Sequence, residues 1–360
     1  MATPAPHSLQ PPPLTAGATL VRFGLIALPV VALAAGMAYV HGWLDPARLT
    51  PGRIVDTLQA NAGEYPGYRR NHAKGVCVTG WFDSNGQLAQ ASRAAVFAPG
   101  RTPVVGRFAL PGGNPYAPDN SVPIRSLALR FTQADGQQWR TGMNSMPVFP
   151  VGTPEAFFDS LQASRPDPVT GKPNPAAQQA FFASHPETAA FLAWVKTAKP
   201  SASYATERYD GLNAFYLVAT NGSRQAVRWH LLPVQTSRTD SNGESGDYLM
   251  RDLQQRLAVG PLRWTLEMTF ANPDDPVNDA SKAWPQDRRT VAAGTLVLDR
   301  ALAQNAGPCR DINYDPTVLP DGIQISADPL LPARSAAYAD SYLRRTGEVH
   351  QLSAAQEPRP

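Results

Sequence analysis

Two cysteines in 360 residues, Cys77 and Cys309, leave no CxxC pair and no zinc-ligand spacing. They either pair in an oxidising compartment or sit as free, buried, apolar thiols; the burial habit of free cysteine favours the second. Charge is scarce as well, at 17% of residues against roughly 25% in an average soluble domain. The net charge is +3, and no Lys/Arg block is dense enough to track a phosphate backbone. Nucleic acid is therefore not an expected partner. No Gly-rich phosphate loop and no internal repeat stands out, which argues against a P-loop site and a solenoid.

Proline is abundant, with 36 residues, which predicts many loops and few long helices. The length allows one large domain or two ordinary ones, with a sizeable core. One long apolar run exists. From Phe23 to Val40 there is no charge over 18 residues, long enough to cross a bilayer. Tyr39, His41 and Trp43 stand at its far end like an interfacial belt. A cleavable signal peptide is the rival reading, with Ala32 to Ala34 as its cleavage site. The long Pro- and Ala-rich lead-in favours an uncleaved anchor. Either reading exports the rest of the chain.

After the run, "DPARLTPGRIVDTLQANAG" reads as a short helix, with Ile54, Val55 and Leu58 at helical spacing. Strand-like runs cover Gly75 to Phe82, Ala91 to Phe97, Pro103 to Leu110 and Ser126 to Thr132. Asp135-Gly136 marks a hairpin. Past Pro154 the apolar spacing changes to three and four, which predicts helices. Strands resume around Asn221-Gly222, in "PLRWTLEMTFA" and in "TVAAGTLVLDRAL". About eight strands with an inserted helical excursion predict an α+β fold built on an antiparallel barrel.

Two short stretches carry chemistry. In "RRNHAKGVCVTGWF", His72 stands beside cations where the chain enters a strand. Near the C-terminus, Pro332 opens a proline-free helix. On it Arg334, Tyr338 and Arg345 fall within roughly 40° of one another at about 100° per residue. A phenol with a pKa near ~10 is driven toward phenolate by a guanidinium one turn away and by a ferric ion. Such a tyrosinate can hold haem iron. Taken singly, His72 reads better as a structural histidine and the helix as a solvated face. His185 and His230 read as structural too.

Together, "RxxHAKG" before a strand and "DPxxLPxGIxxSxDPLLxARxxxY" roughly 260 residues later resemble the haem catalase superfamily. The likeness runs from about Tyr65 to Glu348 and includes the order of the strands. The chain ends soon after the tyrosine helix, so it looks like the small, exported catalase-related peroxidases. The resemblance implies a catalase-like barrel with a C-terminal haem-ligating helix, and haem b as cofactor. It makes Tyr338 the axial ligand of the iron and Arg334 the hydrogen-bond donor to its phenolate. It makes His72 and Asn144 the catalytic distal pair, with Phe157 lining that side. Arg69, Arg107 and Arg345 match the arginines that neutralise the haem propionates. Two departures stand out: Ala109 takes the place of a serine that holds the distal histidine, and Asn71 that of an apolar residue narrowing the channel.

The function implied is a haem peroxidase that reduces organic peroxides with a small-molecule electron donor and has weak or no catalase activity. Its alternatives are an allene-oxide-type enzyme rearranging lipid hydroperoxides, a true catalase, and an exported non-catalytic barrel. The expected organisation is a disordered tail over 1–20, an anchor or signal over 21–43, the haem peroxidase domain over 44–350 and a second disordered tail over 351–360. The expected location is the periplasm, anchored in the inner membrane, with an oligomer compatible.

Overall fold

The computed structural model describes residues 15–40, 42–45, 47–236 and 246–356. It divides into two units, residues 1–50 and 51–360. The first is dominated by helix α1, Ala16–Val40, with no buried residue and Pro29 inside it. It is long and apolar enough to cross a membrane. It starts ahead of residue 21, at Ala16. Of the expected tails, residues 1–14 and 357–360 lie outside the described residues, as does His41, whereas residues 351–356 continue a helix.

The second unit is built on strands β1 Gly75–Ser84, β2 Gly100–Ala109, β3 Ser126–Thr132, β4 Gln138–Asn144, β5 Tyr209–Asp210, β6 Phe215–Val218, β7 Arg224–Pro233, β8 Leu262–Phe270, β9 Thr290–Ala303 and β10 Ile323–Ile325. Antiparallel pairing runs β7-β5-β4-β3-β2-β1-β9-β8, and β8 pairs back onto β7. Eight strands therefore close into a barrel, with β6 and β10 added outside the ring. Closure removes the free edges that an open sheet exposes. The Asp135-Gly136 turn joins β3 to β4, with Gly136 at φ 85°. Asn221-Gly222 joins β6 to β7 in the same way, with Gly222 at φ 83°. Those left-handed angles suit glycine.

The barrel interior is a core and not a passage. Trp139, Trp229 and Trp264 are fully buried. Trp139 stacks on Phe131 at 4.6 Å and meets Trp229 edge-on at 5.0 Å. The indole N–H of Trp229 donates to Thr141 Oγ1 at 2.9 Å, which satisfies the one polar group such a ring brings inside.

Helices cover the barrel: α2 Pro51–Ala62, α3 Pro154–Ala163, α4 Pro175–Ser184, α5 Ala189–Val195, α6 Tyr248–Val259 and α7 Leu330–Gln356. Helix α2 packs against α3 and α7. Two expectations fail. Residues Ala91 to Phe97 form no strand but a turn ending in a 3-10 stretch, Ala95–Phe97. Its backbone groups go elsewhere than a ladder: Arg93 N–H donates to Val218 O, and Val96 N–H to Gln133 Oε1 at 2.8 Å. Helix α6 was not anticipated. The cysteines also depart from the favoured reading, because Cys77 and Cys309 form a disulfide with Cα atoms 5.3 Å apart. It joins β1 to the loop after β9, a proximity set by the barrel and not by spacing.

Candidate active site

One cavity of about 1540 Å³, open mouth included, lies between the loop before β1, the ends of β2, β3 and β4, and helices α2, α3 and α7. All eight residues singled out by the sequence line it: Arg69, His72, Arg107, Asn144, Phe157, Arg334, Tyr338 and Arg345.

Helix α7 carries the tyrosine side. Asp328 caps its start, its Oδ1 accepting from Leu330 N–H at 2.9 Å. The other oxygen, Oδ2, accepts from Asn213 Nδ2 at 2.8 Å. Asn213 Oδ1 in turn accepts from Arg334 at 2.6 Å, and Arg334 donates to the Tyr338 hydroxyl at 3.3 Å. Four side chains thus form one relay from the helix cap to the phenol. Gly142 on β4 makes room for it, since a Cβ there would sit 3.2 Å from the Arg334 guanidinium. The sequence reading missed Asn213 and Asp328. The Asp-Pro at a helix start was a capping signal for the second; nothing marked the first.

Across the cavity stands His72, just before β1. It is the one non-glycine among the described residues with positive φ, at 56°. That backbone state costs roughly 1–2 kcal/mol, and its surroundings hold it. Asn71 Oδ1 accepts from His72 N–H at 2.9 Å and from Gly112 N–H at 2.7 Å. Ala73 N–H donates to Gly112 O at 2.9 Å. The amide of Asn71 is thus engaged by the loop backbone, although the residue lines the cavity; it braces the histidine and is not simply a polar replacement in a channel wall. Arg70 bolts the same loop down, pairing with Glu348 on α7 and donating to Gln59 Oε1 on α2 at 2.9 Å. Arg70 is itself buried.

The His72 Nδ1 atom is buried and has no hydrogen-bond partner. Burial lowers the pKa of the ring to about 3, and the nearby Arg107, Arg334 and Arg69 add to the effect. The imidazole is neutral at any ordinary pH. Asn144, at the end of β4, has its Oδ1 2.6 Å from the Ser126 hydroxyl. Phe157 sits on α3, whose start is capped by Thr153, and its ring packs on Phe149 at 5.8 Å.

The third group is cationic. Arg107 and Arg345 are each 3% exposed. Arg107 donates to Gln304 Oε1 at 2.5 Å and to Ala73 O at 3.1 Å. Arg69 donates to the carbonyls of Cys309, Arg310 and Ile312 at 3.2, 3.2 and 2.9 Å. Arg345 pairs with Asp311 at 3.4 Å and lies over the Tyr342 ring, 5.2 Å from its centroid. The Nε atoms of Arg107 and Arg345 are buried without partners. Burial, then mutual repulsion among the three, pushes Arg69 well below its usual value; burial brings Arg107 to about 10. Gly75 allows the crowding, since a Cβ there would lie 2.6 Å from the Arg107 guanidinium. Three guanidiniums facing one carboxylate are a cradle for an anion.

His185 and His230 lie away from this cavity. Each is held by a carboxylate, His185 by Glu187 and His230 by Glu267, both at 2.8 Å.

The family model for Catalase matches residues 45–359. The chain belongs to the catalase family. Within that family it is similar to the catalase-related peroxidase of Synechococcus elongatus, 35% identical over 90% of this chain and 97% of the relative. It is also similar to the catalase-related peroxidase of Mycolicibacterium paratuberculosis, 33% identical over 83% of this chain and 96% of the relative. Among solved structures, a bacterial catalase superposes with a TM-score of 0.69 at 24% identity, over 82% of this chain and 61% of that one. A fungal catalase gives 0.70 at 21% identity, over 79% and 60%. Those two likenesses show the catalase fold.

Membership of the catalase family implies a haem cofactor. The cavity's own chemistry fits one. The Tyr338 phenol with its arginine donor offers an oxygen ligand for iron, and the guanidinium-bearing Arg69, Arg107 and Arg345 line the same cavity, as propionates would require.

Proposed function

We propose that this chain is an exported haem b peroxidase that reduces peroxides, organic ones included, with a small-molecule electron donor. Haem b, when bound, would supply the two-electron redox chemistry that links the peroxide to the donor. The chain's residues do the rest. Tyr338 would bind the iron through its phenol oxygen, which the hydrogen bond from Arg334 holds in place. Arg69, Arg107 and Arg345 would hold the two propionates. Neutral His72 would take the proton from one peroxide oxygen and return it to the other as the O–O bond breaks, the two electrons being the haem's to supply, so that an alcohol or water leaves. Asn144 donates a hydrogen bond to that outer oxygen, and Phe157 keeps the distal side apolar.

The observation that supports this reading most is the Arg334–Tyr338 hydrogen bond in the same cavity as His72 and three under-compensated guanidiniums. Weak catalase activity is supported by the unpartnered Nδ1 of His72 beside Ala109, which leaves the ring less well fixed for a second hydrogen peroxide. Export is supported by α1 and by the disulfide, which persists in oxidising compartments.

An absorption spectrum of the purified protein, with and without peroxide, tests the reading. High-spin tyrosinate bands are expected, and Tyr338→Phe should lose them with most of the iron. An unchanged spectrum and iron content in that variant would overturn the assignment.

A further inference from the structure

Three neighbouring strands put Ala109, Ser126 and Asn144 in a row at the cavity wall. Ala109 of β2 faces Ser126 of β3, and Ser126 faces Asn144 of β4. All three line the cavity. The backbone of Asn144 is fixed from its other side by pairing with Asp210 of β5. Ser126 is only 7% exposed, so water does little to occupy its hydroxyl. That hydroxyl lies 2.6 Å from Asn144 Oδ1, a normal O–H···O distance, and donates to it.

The sense of this bond matters because a carboxamide has two unlike ends. Its oxygen only accepts and its nitrogen only donates. A peroxide oxygen carrying lone pairs is helped by the nitrogen end and repelled by the oxygen end. An amide with neither end held can turn over by half a turn and present either. Here the oxygen is captured from the neighbouring strand, which leaves Nδ2 as the free end. No equivalent restraint acts on His72, whose Nδ1 has no partner.

We infer that Ser126 is a positioning residue that locks the Asn144 amide with its N–H groups toward the bound peroxide, so that the distal side keeps one oriented donor although Ala109 offers His72 no hydroxyl. The inference rests on the reading of Asn144 as the donor to peroxide. Ser126 acts only through Asn144 and touches no reacting atom.

Cyanide is a suitable probe on the haem-loaded protein, because its outer nitrogen accepts a hydrogen bond from the distal side. The cyanide Kd and the C–N stretching frequency are measured for wild type, Ser126→Ala, Ser126→Thr, Asn144→Ala and the Ser126→Ala/Asn144→Ala double variant. Ser126→Ala should weaken cyanide by up to about tenfold, ~1.4 kcal/mol, and shift the stretch. Threonine, which keeps the hydroxyl, should restore both. In the Asn144→Ala background the serine change should have no further effect, since residues acting as a unit are not additive. If Asn144→Ala moves both readouts while Ser126→Ala moves neither, or if the two changes add fully, the inference is wrong and the role of Asn144 stands. If Asn144→Ala moves nothing, the donor role fails and the inference with it. Should Ser126→Ala not fold, Ser126→Cys, nearly isosteric with a weak donor, supports the same comparison.

Discussion

His72 shows how much a single residue is asked to do in this fold. It sits in a left-handed backbone state, braced by Asn71, with its ring kept neutral by burial and by three nearby cations. As the proposed acid–base group, it should be removable without losing haem. His72→Ala is expected to retain the cofactor and to react with peroxide about 10²–10⁴-fold more slowly, measured by stopped-flow absorption. The pH dependence should also be distinctive. With the ring's pKa lowered to about 3, the peroxide reaction should show no acid limb near the ordinary histidine value. The stability effect has a definite sign. Between about 3 and the ordinary value the unfolded chain binds the proton and the folded chain does not, so stability falls as pH drops through that window. His230, lowered chiefly by burial, adds in the same direction. A second residue-scale test concerns Ala109. Ala109→Ser should raise oxygen release from hydrogen peroxide relative to dye oxidation by an alkyl hydroperoxide; an unchanged ratio would remove the missing hydroxyl as the cause of weak catalase activity. His72 and Tyr338 were legible because each lies in a motif with local neighbours. Asn213, Asp328 and Ser126 were not, because their partners are fixed by strand register and tertiary contact: Asn213 and Asp328 meet across 115 residues of chain.

At the scale of elements, the loop after β9 holds all three guanidiniums of the anion cradle. Gln304 accepts from Arg107, the carbonyls of Cys309, Arg310 and Ile312 accept from Arg69, and Asp311 pairs with Arg345. The Cys77–Cys309 disulfide pins that loop to β1. Removing a native disulfide commonly costs roughly 2–5 kcal/mol, and here part of the loss should fall on the cradle. Cys77→Ser with Cys309→Ser should therefore lower the melting temperature and also the haem retained after gel filtration. A lower melting temperature with full haem occupancy would separate the loop from cofactor binding. Sequence periodicity identified most barrel strands, since half-buried strands alternate and their Asp-Gly and Asn-Gly turns are local. It failed where local pattern does not govern. The segment Ala91 to Phe97 alternates weakly yet spends its backbone hydrogen bonds on Val218 and Gln133, and the short β5 and β10 exist only through their neighbours.

The molecule as a whole joins one apolar N-terminal helix to a closed barrel unit. Alkaline phosphatase fused after Glu348 should be active in cells, because it folds only after export; a folding-sensitive cytoplasmic reporter active at the same position would contradict the proposed location. The barrel with its wrapping helices was readable as a class from strand count and helix spacing. The cavity at its end was readable only through the two motifs and not from local pattern, because it is assembled from residues as distant as Arg69 and Arg345. That distance dictates an order of manufacture. Cys77 and its partner are separated by 232 positions, and the iron-binding tyrosine proposed here lies later still. During synthesis the seat for the cofactor is completed only after Cys309 and Tyr338 have emerged, well behind Arg69 and His72. If the proposed export takes place before folding, haem has to be supplied beyond the cytoplasmic membrane, to a finished receptacle.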